Sequence, residues 1–446
     1  MEELLAHPAI QKIIDWWYLS REAVEELPWQ HFEEFISRFV FYYPLLMAYV
    51  WMIGGIIYYL RWEFKIRTHT RDAPELKEYP PVSILIPCYN EGENIRETID
   101  YLLHQNYPNY EIIAVNDGSK DNTLEILREL AAQHERVRVV NLATNQGKAV
   151  GLRTAALLAN SEYLVCIDGD AILAPNACAW MVRHFQDHPK VGAVTGNPRI
   201  RNRSTLLGKI QVGEFSAIVG MIKRAQRTYG RIFTISGVIA AFRKSALHDV
   251  GYWSPDMVTE DIDISWKLQL AGWSIPFETN ALCWVLMPET LNGLWKQRSR
   301  WAQGGVEVMG RYFTSMFSFK ALGMWPLYLE CCLSLLWSFT VMILVVSSPL
   351  SSLFSESEQT LGDLSPHWTS MLLCLTCLVQ FAVSLGIDAR YERRSGENHY
   401  YWMIWYPIVY WLINIGTAMN GVYKAMRKKR GQRATWVTLD RGLRAK

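Results

Sequence analysis

Residues 41–60, FYYPLLMAYVWMIGGIIYYL, carry no charged side chain. A helix needs about 20 mainly apolar residues to cross a bilayer, since every backbone polar group must be satisfied within the segment. The stretch therefore predicts a membrane helix and restricts the chain to folds in which a water-soluble part is tethered to lipid. Three later apolar stretches, roughly 324–348, 368–387 and 401–423, are flanked by Trp or Tyr, as interfacial helix ends tend to be. Residues 80–290 contain no such run and read as one water-soluble domain. The expected order is an acidic segment (1–40), a membrane helix (41–60), the soluble domain (80–290), an interfacial amphipathic stretch (291–322), membrane helices (323–423) and a basic tail (424–446). At 446 residues and 50% hydrophobic, the chain has material for a sizeable core as well as spans.

Basic residues set the orientation. Arg61, Lys65, Arg67 and Arg71 follow the first span, whereas Glu22, Glu25, Glu26, Glu33 and Glu34 precede it, which puts the soluble domain in the cytoplasm. The tail KAMRKKRGQR reads as cytoplasmic too, as a topology signal or lipid headgroup contact rather than a nucleic-acid site. Three late spans starting inside would end outside, so either Pro407 splits the last stretch or one stretch lies in the interface. The first 40 residues lack the features of a signal peptide, and the first span reads as a retained anchor. The cysteines form no disulfide framework: Cys88, Cys166, Cys178 and Cys283 fall in a reducing domain, and Cys331, Cys332, Cys374 and Cys377 in apolar stretches.

Within the soluble domain, VSILIP (82–87), YEIIAVND (110–117), RVRVVNL (136–142) and EYLVCIDGD (162–170) are continuous and β-branched, the pattern of strands buried on both faces. Helical periodicity fills the gaps between them. Strand and helix in alternation predict an α/β domain with a mostly parallel, Rossmann-like sheet, in which ligands bind beyond the carboxyl ends of the strands. Asp117 ends the second strand and Asp168 with Asp170 ends the fourth. Asn90 and Glu91 follow the first.

Two carboxylates one residue apart on a strand-end loop can share a hard divalent cation that bridges phosphate oxygens. No phosphate-binding glycine loop is present, and Gly54 and Gly55 lie in a span, where packing is the better reading. Lys148, in NQGKAVGL, reads either as a diphosphate contact or as a solvated helix-start lysine. MVTEDIDISWKLQLAGW (257–273) places Thr259, Glu260, Asp261 and Asp263 at a helix start, where acids complement the dipole and one of them could remove a proton from a hydroxyl. In WKQRSRWAQGG (295–305), Gln297, Arg298, Arg300 and Trp301 suit headgroup anchoring, or a diphosphate and a sugar face.

Taken in order, YNE, NDGS, DGD, TED and QRSRW, followed by apolar helices, resemble the processive family 2 glycosyltransferases, which include cellulose, chitin and hyaluronan synthases. SILIPCYNEGENIRETI and GNPRIRNRSTLLGKIQ are similar to the bacterial branch that polymerises N-acetylglucosamine through β-1,6 linkages into biofilm exopolysaccharide. The resemblance implies a GT-A-type domain embedded between transmembrane helices of the inner membrane, a UDP-GlcNAc donor and a growing polysaccharide as substrates, and Mg2+ or Mn2+ as cofactor. It implies Asp117 on the uridine diphosphate, Asp168 and Asp170 on the metal and diphosphate, and Asp261, beside Glu260, as general base. It further implies Tyr89, Asn90 and Glu91 in the nucleotide pocket, and Gln297, Arg298, Arg300 and Trp301 on diphosphate and acceptor. The FTISG segment (233–237) is similar to one near the acceptor site. A small membrane partner subunit and cyclic di-GMP are implied by the same branch. Three alternatives stay open: a non-processive transferase acting on a lipid phosphate, an inactive nucleotide-sugar sensor, and a transporter.

Overall fold

A computed structural model describes residues 29–64, 72–354, 368–392, 406–429 and 431–436. The four β-branched runs form strands β1 (Val82–Cys88), β2 (Tyr110–Asp117), β3 (Val137–Leu142) and β4 (Tyr163–Ile167). Helices α2 (Ile95–Leu103), α3 (Thr123–Gln133) and α4 (Lys148–Leu158) connect them, after α1 (Trp29–Tyr58) and its π-helical continuation Tyr59–Glu63. Ile95, Thr98, Ile99 and Leu102 recur at helical spacing and are the buried residues of α2. The chain continues through β5 (Ile172–Leu173), α5 (Ala177–Asp187), β6 (Ala193–Ile200), α6 (Leu206–Glu214), α7 (Met221–Thr228), β7 (Ile239–Arg243), α8 (Lys244–Asp249), α9 (Glu260–Leu270) and β8 (Phe277–Val285). It ends with α10 (Leu291–Tyr312), α11 (Trp325–Phe354), α12 (Trp368–Glu392) and α13 (Tyr406–Arg427).

One eight-stranded sheet runs in the order β3-β2-β1-β4-β7-β6-β8-β5. The β3-β2-β1-β4 half is parallel, as the alternation predicts. The other half is mixed, because β7 is antiparallel to both its neighbours and β5 to β8. Successive strand residues point to opposite faces. Ile84, Ile86 and Ile112 enter one core with Ile99 and Trp180, while Leu85, Ile113 and Val115 enter another with Leu152 and Leu268. Strand β3 departs from the both-faces-buried reading. It is an edge strand, and only Val137 of its six residues is buried.

Among the described residues, three helices are long and apolar enough to cross a membrane: Phe35–Glu63, Phe319–Val346 and Met371–Tyr391. Gly54 and Gly55 let α1 close on α7, where a Cβ on Gly54 would stand 2.8 Å from Ala225 Cα. The described part of the 401–423 stretch takes a different position. Helix α13 runs alongside α10 in the same direction, with Gly416 against the Trp295 ring and Asn420 Nδ2 donating to Ser299 Oγ at 2.9 Å. Beyond it, Lys428 pairs with Glu307 at 2.8 Å and Ala434 N–H donates to Pro255 O, so the tail lies on the soluble domain. The candidate spans among the described residues, one early and two late, are in keeping with that return.

A buried ionic network joins the domain to the helices. Arg224 of α7 meets Glu63 at 2.6 Å, Arg199 of β6 makes a two-armed pair with Asp388 of α12, and the Tyr391 hydroxyl lies between Glu63 and Thr279 at 2.9 and 2.8 Å.

Candidate active site

In the parallel half, the chain proceeds from β1 to β2 and β3 on one side and then crosses to β4 on the other. The carboxyl edge of β1 and β4 is thus the topological switch point, where strand-end loops diverge and leave a crevice. Asn90, at φ 55°, turns the chain there, and its N–H donates to Ser119 Oγ at 3.0 Å while its Oδ1 accepts from Lys120 N at 2.9 Å. Glu91 N–H donates to Thr123 Oγ1 at 2.8 Å. These bonds fasten the loop after β1 to the loop after β2, with Tyr89 half-buried beside them.

Asp117 is the last residue of the neighbouring strand, β2. Its two oxygens accept from Gln146 N at 2.7 Å and Gly147 N at 2.8 Å, which folds the approach to α4. Burial raises its pKa, and the two amides work against that. The turn carrying Asp168 and Asp170 is closed by Ala171 N–H donating to Asp168 O, and Thr98 Oγ1 donates to Gly169 O at 2.9 Å. A Cβ on Gly169 would meet Glu91 Cγ at 2.9 Å, so glycine permits the two loops to touch.

Lys148 opens α4 and is not solvated. Its Nζ stands 2.6 Å from Asp168 Oδ1 and 3.1 Å from Glu260 Oε1, and donates to Gly237 O at 3.0 Å. Burial lowers the ammonium pKa, but the Asp168 and Glu260 charges outweigh it and hold the group above its usual range. Glu260 and Asp261 form the first turn of α9 behind Thr259. Glu260 is held below the usual carboxylate range, because Lys148 and Arg300 outweigh its burial. Asp261 is pushed up to about 6, by burial first and then by the Glu260 charge, with Lys148 and Arg300 pulling the other way. The surroundings thus push the two carboxyls apart, Glu260 down and Asp261 up, an arrangement that suits a counter-ion beside a proton acceptor.

Helix α10 forms the opposite wall. Gln297, Arg298, Arg300 and Trp301 all line a cavity of about 590 Å³ together with Glu91, Lys148, Asp168, Asp170 and Asp261. Arg298 Nη2 donates to Glu214 Oε2 at 2.6 Å, and its guanidinium lies 4.4 Å from the Trp301 ring centroid, so it orients that indole. Gln297 Nε2 reaches Met287 Sδ at 3.7 Å. The cavity continues past Phe233 and Ser236 to Tyr43, Trp51, Glu330 and Ser334 on the membrane helices. Asp117 and Tyr89 are not among its lining residues.

Three participants escape a reading of the motifs. Glu214 is distant in sequence from Arg298 and carries no motif of its own. Lys223 reaches the cavity wall from within α7. Trp436 comes from the tail: its carbonyl accepts from Asn145 Nδ2 at 2.9 Å, and its ring lies 6.0 Å from Lys148 Nζ. With Arg300, Lys424, Arg427 and Arg433 it borders a second, basic pocket of about 450 Å³.

Among the described residues, no three His, Cys, Asp or Glu side chains gather as a metal site. Asp168 and Asp170 supply hard oxygen ligands that fit a divalent cation, provided that a diphosphate completes its shell. The constellation suits transfer of a group from a nucleotide diphosphate to a hydroxyl.

Comparison with known proteins agrees. Residues 80–304 match the family model described as glycosyltransferase like family 2. The chain is 41% identical over 412 residues to the poly-beta-1,6-N-acetyl-D-glucosamine synthase of Staphylococcus epidermidis, covering 91% of this chain and 98% of that protein. The protein of the same name from Staphylococcus aureus strain COL is 40% identical over 406 residues, with the same coverage. A solved mannosyltransferase from Pyrobaculum calidifontis, in complex with GDP-Man and Mn2+, superposes with a TM-score of 0.54 at 19% identity, over 87% of this chain and 99% of that one. A GT-A-like mixed sheet, a family model spanning half the chain and relatives matched almost end to end lead to one conclusion: the chain belongs to glycosyltransferase family 2.

Proposed function

We propose that the chain is a processive, inverting N-acetylglucosaminyltransferase that builds poly-β-1,6-N-acetylglucosamine from UDP-GlcNAc and passes the polymer through the bacterial inner membrane. The observation that carries this reading is the single cavity that joins Asp168, Asp170 and Asp261 to Trp301 and then to Tyr43, Trp51 and Ser334 between membrane helices. That lining supports a path from donor chemistry to polymer exit. The sugar and linkage rest on the relatives named above.

In this reading Asp261 takes the proton from the acceptor hydroxyl. The hydroxyl oxygen attacks the anomeric carbon opposite the diphosphate, the bond from that carbon to the phosphate oxygen breaks, and UDP leaves with the electron pair. One base and one displacement invert an α-linked donor into a β-linked product. Asp168 and Asp170 would hold Mg2+ or Mn2+, which supplies charge neutralisation to the diphosphate when bound. Lys148 and Arg300 face the same developing charge. Asp117, Tyr89, Asn90 and Glu91 shape the nucleotide side through the loops they fasten. The basic residues after the first span support a cytoplasmic active site. The likeness to the β-1,6 branch also supports a small membrane partner subunit, with cyclic di-GMP as a regulator.

The test is transfer from labelled UDP-GlcNAc in membranes containing the chain, beside Asp261→Asn. High-molecular-weight product digestible by a β-1,6-specific hydrolase is expected from the unaltered chain. Asp261→Asn should abolish it while UDP affinity stays within about twofold, since loss of a general base costs about 10²- to 10⁴-fold in rate. Product from another donor, or short lipid-linked product, overturns the assignment.

A further inference from the structure

Lys223 projects from α7 into the wall of the cavity and is only 6% exposed. Its Nζ donates to Ser236 Oγ at 2.6 Å and to Thr195 Oγ1 at 3.3 Å, with the Phe277 ring centroid 6.0 Å away. In its protonated form the group has three N–H donors, so one direction remains. Buried ammonium groups are ordinarily matched to a carboxylate, because desolvating an unpaired charge is expensive. Next to it, Arg224 follows that rule with Glu63. Lys223 makes no ion pair among the described residues. Burial draws its pKa down to about 7, and the opposing pull comes from Asp261.

Its setting connects it to the acceptor. Ser236 belongs to the 233–237 segment, and a Cβ on the adjacent Gly237 would stand 2.8 Å from Asp261 Oδ2. Lys148 holds the Gly237 carbonyl from the donor side, and Lys223 holds Ser236 from the membrane side. Asp261 therefore lies against a segment held by both lysines: Lys148 spends its donors on Asp168, Glu260 and Gly237 O, whereas protonated Lys223 retains one. Packing alone gives no reason for a cation here, since an apolar side chain would fill the same volume without desolvation.

We propose that Lys223 is a positioning residue for the acceptor: its remaining N–H donates to a hydroxyl or acetamido oxygen of the terminal sugar and holds the reacting hydroxyl at Asp261. This assignment rests on the transferase reading above. A neutral sugar offers such oxygens, and it would enter the cavity from the polymer side, where Lys223 lies.

The experiment compares Lys223→Met and Ser236→Ala with the unaltered full chain in membranes, measuring KM for UDP-GlcNAc and for an added short β-1,6 N-acetylglucosamine oligosaccharide. Lys223→Met should raise the acceptor KM at least tenfold, with donor KM and UDP affinity within twofold, and Ser236→Ala should shift the acceptor KM less than threefold. An unchanged acceptor KM in Lys223→Met, an equal rise for donor and acceptor, or an equal effect from Ser236→Ala would reduce Lys223 to a strut for the 233–237 segment and overturn the proposal. Absence of transfer by the unaltered chain would instead sink the transferase reading. If the methionine variant fails to reach the membrane, Lys223→Gln takes its place, with a threefold selective rise in acceptor KM as the criterion.

Discussion

Lys148 Nζ stands 2.6 Å from Asp168 Oδ1, at the end of a fully apolar strand segment. The pairing explains how a carboxylate is tolerated where a buried apolar run ends, since an isolated charge there would be costly. The same nitrogen reaches Glu260 at 3.1 Å, so one cation ties the strand-end acid to the head of α9.

Transfer should show an acidic limb set by Asp261. The base must be unprotonated, and its pKa is raised to about 6 by burial and by Glu260. The rate should therefore be flat above about pH 7 and fall about tenfold per unit below pH 6. A pH profile of kcat with saturating UDP-GlcNAc checks this, and an unperturbed limb near pH 4 would remove Asp261 from that role.

Lys148→Met should move the limb to higher pH. Lys148 lowers the Asp261 pKa, so its loss leaves Glu260 and Asp261 facing each other with less positive charge between them. The donor KM should rise as well, by about tenfold or more, because a buried charge partner is lost from Asp168. A limb that shifts downward would show that the Lys148 charge does not reach Asp261.

Gly304 is where α10 meets the head of α9. A Cβ at this position would fall 1.9 Å from Thr259 Oγ1, so the two helices must separate to accept one. Gly304→Ala should destabilise the detergent-solubilised chain by about 1–3 kcal/mol, the range for overpacking, and lower transfer by shifting Asp261 relative to Trp301. Thermal unfolding and kcat measured together check it. Gly310, with nothing within 4 Å of its Cβ position, is the control that should tolerate alanine.

Truncation after Lys429 should raise the donor KM. The tail lies against the turn that Asp117 holds: Ala434 O lies 2.1 Å from the Cβ position of Gly147, and the Trp436 ring lies 6.0 Å from Lys148 Nζ. Trp436→Ala should reproduce most of the loss if the indole acts as a cover. UDP titration by calorimetry separates this from a defect in elongation.

The parallel half of the sheet is legible in the sequence because β1, β2 and β4 are continuous apolar runs with amphipathic helices between them. β3 is misread for a physical reason: Val137, Val139 and Val140 give it the same composition as an interior strand, although it has a neighbour on one side only. The antiparallel insertion of β7 is hidden for another reason, since IAAFR is short and follows a helix and an irregular segment rather than a hairpin signal. In the site, acids at strand ends and at the head of α9 are readable, because spacing alone puts them on one edge. Glu214, Lys223 and Trp436 are not, since their relevance depends on which distant segment folds against them. The basic tail reads as a topology signal, yet Lys428 pairs with Glu307 and Arg433 contacts Gln146.

The ionic network beneath the sheet bears on how the chain is made. Arg199 emerges from the ribosome 189 residues before Asp388, its buried partner on α12. For that interval the domain lacks the carboxylate that completes this two-armed pair. The pair that joins β6 to α12 therefore forms only once that helix has been made. A chain interrupted before that helix lacks both this pair and the tail that brings Trp436 beside Lys148, so the seating of the domain and the completion of its crevice both wait for the last quarter of the sequence.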